Sequence, residues 1–183
     1  MSVHGVGEEK QKNSRKEELK DNSPRKYLFN VSACKYISAL GLDIGSKRIG
    51  VAGCDRTGLL ATGITTIERT SFEQDVEQIR AIVLERQVQV LIVGLPYSMD
   101  GTLGFQARQV QKFAKKLGKA LNLPVEYTDE RLTSFQAEQL LKSEKRSPSR
   151  HKALIDRKAA ALILQQWLDM RRANLKSTQI SVE

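Results

Sequence analysis

Hydrophobic residues follow two periods along this chain. Ile37, Ala39, Leu40, Leu42 and Ile44 form a short, nearly continuous apolar run, which predicts a buried central strand. Gly45-Ser46-Lys47 reads as a turn. Arg48 to Cys54 predicts a second strand and Leu59 to Ile67 a third, with Asp55-Arg56-Thr57-Gly58 turning between them. Connections this short require antiparallel hairpins. The period then changes. Phe72, Val76, Ile79 and Val83 fall at helical spacing, behind a Ser71–Gln74 capping box. Val88 to Val93 predicts a fourth strand, ending at Gly94-Leu95-Pro96. A second amphipathic helix follows, with Ala107, Val110, Phe113, Leu117 and Leu121 on one face and Lys112, Lys115, Lys116 and Lys119 on the other. Pro124 to Thr128 predicts a fifth strand. Thr133 and Gln136 suggest another capping box, opening a helix through Leu141. The polar, basic stretch Lys142 to His151, with Pro148 inside it, reads as a loop. Lys152 to about Met170 is a last helix, rich in Ala and Leu, with Trp167 in its apolar stripe.

The order β-β-β-α-β-α-β-α-α predicts an α/β domain. Three antiparallel strands followed by βαβ units give a five-stranded mixed sheet with helices on both faces. Residues 1–35 are polar and charge-mixed, too poor in apolar groups to order themselves. The expected organisation is therefore a disordered tail over 1–35, one domain over 36–172 and a flexible C-terminal tail over 173–183.

Charge sharpens the picture. Lys and Arg number 30 against 21 Asp and Glu, a net charge of +9. Such a surface favours polyanions, nucleic acid foremost. Aromatic residues make up only 5% of the chain, so base stacking is not expected to dominate binding. The two cysteines, Cys34 and Cys54, form no CxxC pair, which fits a reducing compartment. No apolar run has the length of a membrane span, and the N-terminal stretch carries acids rather than a signal-peptide core. A cytoplasmic location is expected.

In open mixed sheets ligands gather beyond the carboxyl ends of central strands, and acids fall at two such places and near the start of the last helix. Asp43 sits near the end of the apolar first strand, in Leu42-Asp43-Ile44-Gly45. A carboxylate buried there must be paired or metal-bound, although a turn-forming Asp is the ordinary reading of D-x-G. Asp129 and Glu130 follow the fifth strand and could equally belong to a surface loop. Asp156 lies one turn into the last helix, where the macrodipole alone would favour an acid. Each has a structural explanation by itself. Together they form the set that phosphodiester hydrolysis needs, because Mg²⁺ and similar hard cations take oxygen ligands and activate water beside the scissile phosphate. Zinc is not indicated, since the only histidines are His4 in the tail and His151 in the basic loop. Lys47 and Arg48 in the first hairpin, and Arg131, Arg146, Arg150, Lys152 and Arg157 around the acids, could grip backbone phosphates.

Four segments, in order, resemble one family. They are Leu40-Gly41-Leu42-Asp43-Ile44-Gly45-Ser46-Lys47-Arg48-Ile49-Gly50-Val51-Ala52, Val93-Gly94-Leu95-Pro96-Tyr97-Ser98-Met99-Asp100-Gly101-Thr102, Thr128-Asp129-Glu130-Arg131-Leu132-Thr133-Ser134, and Lys152-Ala153-Leu154-Ile155-Asp156 with Ala159-Ala160-Ala161-Leu162-Ile163-Leu164. The chain resembles the YqgF-type (RuvX-like) proteins, described as Holliday junction resolvases and as pre-16S rRNA nucleases, over about residues 38–170. The N-terminal tail is longer than is usual there, and Cys54 stands where serine is common.

The resemblance implies an RNase H-like fold and a Mg²⁺- or Mn²⁺-dependent nuclease in which Asp43, Glu130 and Asp156 hold metal. It implies maturation of the 5′ end of 16S rRNA, with pre-16S rRNA or a pre-ribosomal particle as partner. A junction resolvase acting on DNA and a non-catalytic nucleic-acid-binding or transcription factor stand as alternatives. A sugar-kinase-like ATPase would need two such domains around a cleft, and this chain is too short for them. The expected protein is a monomer or a homodimer.

Overall fold

The structure is a computed structural model that describes residues 36–97, 103–129 and 148–180. Five strands form one sheet: β1 (Ala39–Ile44), β2 (Arg48–Cys54), β3 (Ala61–Glu68), β4 (Val90–Leu95) and β5 (Val125–Asp129). Their spatial order is β3-β2-β1-β4-β5. β1–β2 and β2–β3 pair antiparallel, whereas β1–β4 and β4–β5 pair parallel. This is the mixed sheet that the sequence predicts.

Alternation divides the sheet into two faces. Leu40, Leu42, Ile49, Val51, Leu91 and Val93 pack with the apolar stripes of α1 (Phe72–Arg86) and α2 (Phe105–Leu121). Ala39, Ala52, Cys54, Val90 and Ile92 pack on the other face against Ile163, Leu164, Trp167 and Leu168 of α3 (Pro148–Ile180). Each large apolar side chain buried in this way contributes about 1.5–3 kcal/mol. Trp167 lies in this core, and its indole Nε1 donates to Glu126 of β5 at 2.7 Å.

The helix ends follow local chemistry. Ser71 caps α1 by accepting from the Gln74 amide. The reciprocal arm of the expected capping box is diverted, because the Gln74 side chain bonds Thr70 instead. Gln87 closes α1 and Asn122 closes α2, both left-handed, a conformation that satisfies the last carbonyls.

Several boundaries differ from the expectation. β3 begins at Ala61 rather than Leu59, because the Asp55 carboxylate accepts the amides of both Leu59 and Leu60 and holds them in the turn. β4 runs from Val90 to Leu95, two residues later than the apolar run suggests. Val88 is occupied in closing α1, its amide donating to the Val83 carbonyl at 3.0 Å.

The last helix starts at Pro148 rather than Lys152. Proline read as a loop signal, but the first turn of a helix tolerates it because the amide there has no helical partner to lose. This helix also passes Met170, so residues 173–180, expected in the tail, are helical. An Asp169–Arg172 pair and Arg171 stacked on the Trp167 ring, 5.9 Å from its centre, support this extension. Residues 1–35 and the helix expected between Thr133 and Leu141 lie outside the described residues. Among the described residues no helix is long and apolar enough to cross a membrane.

Candidate active site

β1 is buried at every position except Asp43, which is half-buried. Asp43 shares its face with Gly41, the face against which α3 packs. Its antiparallel partner on β2 is Gly50. At Gly50 the helix backbone comes down onto the sheet, and a Cβ there would lie 2.0 Å from the Asp156 carbonyl oxygen. Gly41 and Gly63 make similar room for α3 at Leu164 and Arg157. The side-chain hydroxyl of Thr66 donates to the Ala153 carbonyl at 2.7 Å and tethers the helix near the same place. These close approaches bring Asp156 beside Asp43.

Asp43 is held there against its charged form. Burial, and then the charge of Asp156, push the Asp43 carboxyl from 3.8 up to about 6. Asp156 has its own counter-ion, accepting from Arg48 Nε at 2.5 Å. The same contact holds the Arg48 guanidinium above its ordinary value. A cavity of about 350 Å³ opens at this point, lined by Asp43, Lys47, Arg48, Lys152 and Asp156 with the Gly45–Ser46 turn. Two acids thus lie inside a basic rim.

A further layer, which sequence reasoning missed, holds the turn. Asp75 of α1 is buried, 2% exposed, and pairs with Arg69 at 3.3 Å. Arg69 also donates to the Gly45 carbonyl at 2.7 Å and lies 4.4 Å over the Phe113 ring. In sequence Asp75 is only one more acid in the first turn of a helix, where the macrodipole favours one, and only the fold shows that it reaches back to the active-site turn. Asp75→Asn should leave Arg69 without its counter-ion and cost about 2 kcal/mol. A denaturant titration checks this, and an unchanged midpoint would refute it.

The remaining candidates divide. Lys47, Arg48 and Lys152 meet at the cavity. Arg157 does not line it; its Cβ packs over Gly63 of β3 and its Nε bonds the Ala153 carbonyl at 3.4 Å. Asp129, the last residue of β5, points away from Asp43. It is in register with core-facing Leu95, whereas Glu126 reaches α3 on the other face. Glu130, Arg131, Arg146 and the Arg150 side chain lie outside the described residues. Cys54 is buried in the α3-facing core, with its thiol raised chiefly by desolvation.

The donors suit a hard divalent cation. Asp43 and Asp156 offer oxygens only, and a cation held by them would offset the burial and the Asp156 charge that raise Asp43. Among the described residues no group of three or more Asp, Glu, His or Cys side chains comes together, so these supply two acids of a possible set.

A family model described as "RuvX: Holliday junction resolvase" matches residues 37–170. A protein of Trichormus variabilis named "Putative pre-16S rRNA nuclease" is 77% identical over 149 residues, covering 81% of this chain and 98% of the relative. One of the same name from Crocosphaera subtropica is 69% identical over 139 residues, covering 76% and 97%. Among solved structures, Thermus thermophilus RuvC in complex with a Holliday junction substrate matches with a TM-score of 0.47 at 15% identity, over 76% of this chain and 98% of that one. The strand order, the model match over most of the chain and the near-full-length relatives establish that this chain belongs to the RuvX family.

Proposed function

We propose that this protein is a divalent-metal-dependent endonuclease that matures the 5′ end of pre-16S rRNA in the cytoplasm, with Asp43, Glu130 and Asp156 as its metal-holding acids. The observation that carries the reading is the meeting of Asp43 and Asp156 in a cavity rimmed by Lys47, Arg48 and Lys152. The choice of RNA draws support from relatives of high identity that bear the pre-16S rRNA nuclease name.

The residues divide the work. Lys47 and Lys152, both exposed, draw phosphates to the rim. Arg48 fixes the Asp156 carboxylate through its hydrogen bond. Asp43 presents its oxygens from a rigid central strand. Bound Mg²⁺ or Mn²⁺ would supply water activation and stabilise the charge that develops on the phosphate. Lys152→Ala should weaken RNA binding and lower the salt slope by about 0.7–0.9, the loss of one phosphate contact. Fluorescence anisotropy across a salt series checks this, and an unchanged slope would remove Lys152 from the interface.

The deciding experiment incubates a labelled 16S rRNA precursor fragment and a four-way DNA junction separately with the protein, in Mg²⁺ or Mn²⁺ and in chelator. Metal-dependent cutting of the RNA is the expected result. Cutting of the junction alone would move the function to DNA recombination. No cutting of either substrate would refute the nuclease.

A further inference from the structure

The lysine face of α2 has no role in the active site. Beside it runs a groove of about 970 Å³. The groove begins at Gly45 and Ser46, which also border the active-site cavity, so the two depressions meet over one turn. Its far wall is α2, with Arg108, Lys112 and Lys116 spaced four residues apart. That spacing puts one cation on each helical turn, about 6 Å from the next along the axis. No acid lines the groove among the described residues. The Asp75 carboxylate that neutralises Arg69 is buried behind it. At its rim Phe105 is 79% exposed, unusual for so large an apolar ring in a chain with few aromatics. Phe72 and Phe113 are tied to each other edge-to-face at 5.5 Å, and Phe113 is covered by Arg69. Phe105 is therefore the ring left open to stack.

We infer that this groove is a binding track for a single-stranded RNA segment adjoining the scissile phosphate. A line of cations beside an open aromatic ring suits a flexible polynucleotide strand, whose phosphates follow the charges while a base stacks on the ring. The continuity at Gly45–Ser46 lets one strand run from the acids across the β1–β2 turn and along α2. The inference rests on the nuclease reading for its direction, but binding tests it apart from cutting.

The test uses the full chain and a fluorescent oligouridylate of roughly 10 nucleotides, within the usual range of single-strand sites. Anisotropy is read in chelator across a salt series. K112A/K116A should lower affinity and reduce the slope of log affinity against log salt by about 1.4, the value for two single-strand phosphate contacts. Phe105→Ala should weaken binding roughly 5- to 150-fold, the loss of one stacked base, with the slope unchanged. R56A/K176A removes the same charge from exposed positions outside the groove and should change affinity much less. The inference is overturned if wild type does not bind the oligonucleotide, if K112A/K116A and Phe105→Ala bind like wild type, or if the control loses as much as K112A/K116A. A protein that binds in this pattern yet cuts neither RNA nor junction would keep the track and lose the nuclease. One that cuts RNA with K112A/K116A and Phe105→Ala binding like wild type would do the reverse.

Discussion

Asp43→Asn is expected to abolish cleavage and, in the metal-free protein at neutral pH, to raise the melting temperature. The first effect follows from its proposed place as a metal ligand. Loss of a partner that merely orients a ligand costs 10- to 100-fold, so losing a charged ligand should cost more than about 100-fold. The second effect follows from burial. Asp43 titrates at about 6 in the folded protein against 3.8 ordinarily. Between those values the folded chain holds a proton that the unfolded chain has released, so stability falls as pH rises through this window. Above pH 6 the ionised group costs about 3 kcal/mol. Below about pH 4 the cost is gone.

The groups facing Asp43 are Asp156 of α3, whose charge adds to burial in raising it, and the cavity cations Lys47, Arg48 and Lys152. Asn removes the charge and leaves those partners in place. The variant should therefore melt up to about 6–12 °C higher at pH 7–8, with the gain shrinking towards zero near pH 4. Mg²⁺ should raise the melting temperature of wild type, by the linkage of binding to folding, and leave the variant unmoved. Calorimetry over pH 4–8 with and without Mg²⁺, beside the cleavage assay, reads all of these. A variant no more stable than wild type at pH 7 would show that Asp43 is not held under strain. One that still cuts would remove it from the metal site.

Gly50→Ala should destabilise the protein by about 3 kcal/mol or more, at the upper end of overpacking penalties. The added methyl would overlap a backbone carbonyl, that of Asp156, at 2.0 Å. Neither partner can rotate away, so α3 must lift or β2 must bend. The loss should appear as a melting temperature lower by about 6–12 °C. Cleavage should fall in the fraction that stays folded, because Asp156 moves with the helix. Gly45→Ala is the informative comparison. Its Cβ would lie 3.0 Å from the Arg48 carbonyl in an exposed turn, and its cost should be smaller. Equal melting temperatures for Gly50→Ala and wild type would mean that α3 does not pack on the sheet as closely as described.

Much of this fold is written in short-range pattern. β2 spans Arg48–Cys54 as predicted, and the hairpins follow from turn length alone. The Ser71 cap and the stripe of α2 are likewise local facts. The errors are local too, and each came from a long-range or alternative partner. Pro148 read as a breaker because sequence does not show which side of a helix start it occupies, and residues 173–180 read as tail although the helix runs on through them.

By itself the sequence determined the elements, their order, the mixed character of the sheet and the three places where acids could serve. Those follow from period, turn chemistry and connection length, which act over a few residues. Tertiary structure alone decided which groups meet. It set Asp156 beside Asp43 through contacts at Gly50, turned Asp129 to the opposite face, committed Arg48 to Asp156, took Arg157 to β3 and tied Asp75 through Arg69 to the Gly45 turn. A side chain's neighbours across a sheet depend on register and on how closely a distant helix can approach, and neither is encoded in the residues flanking it.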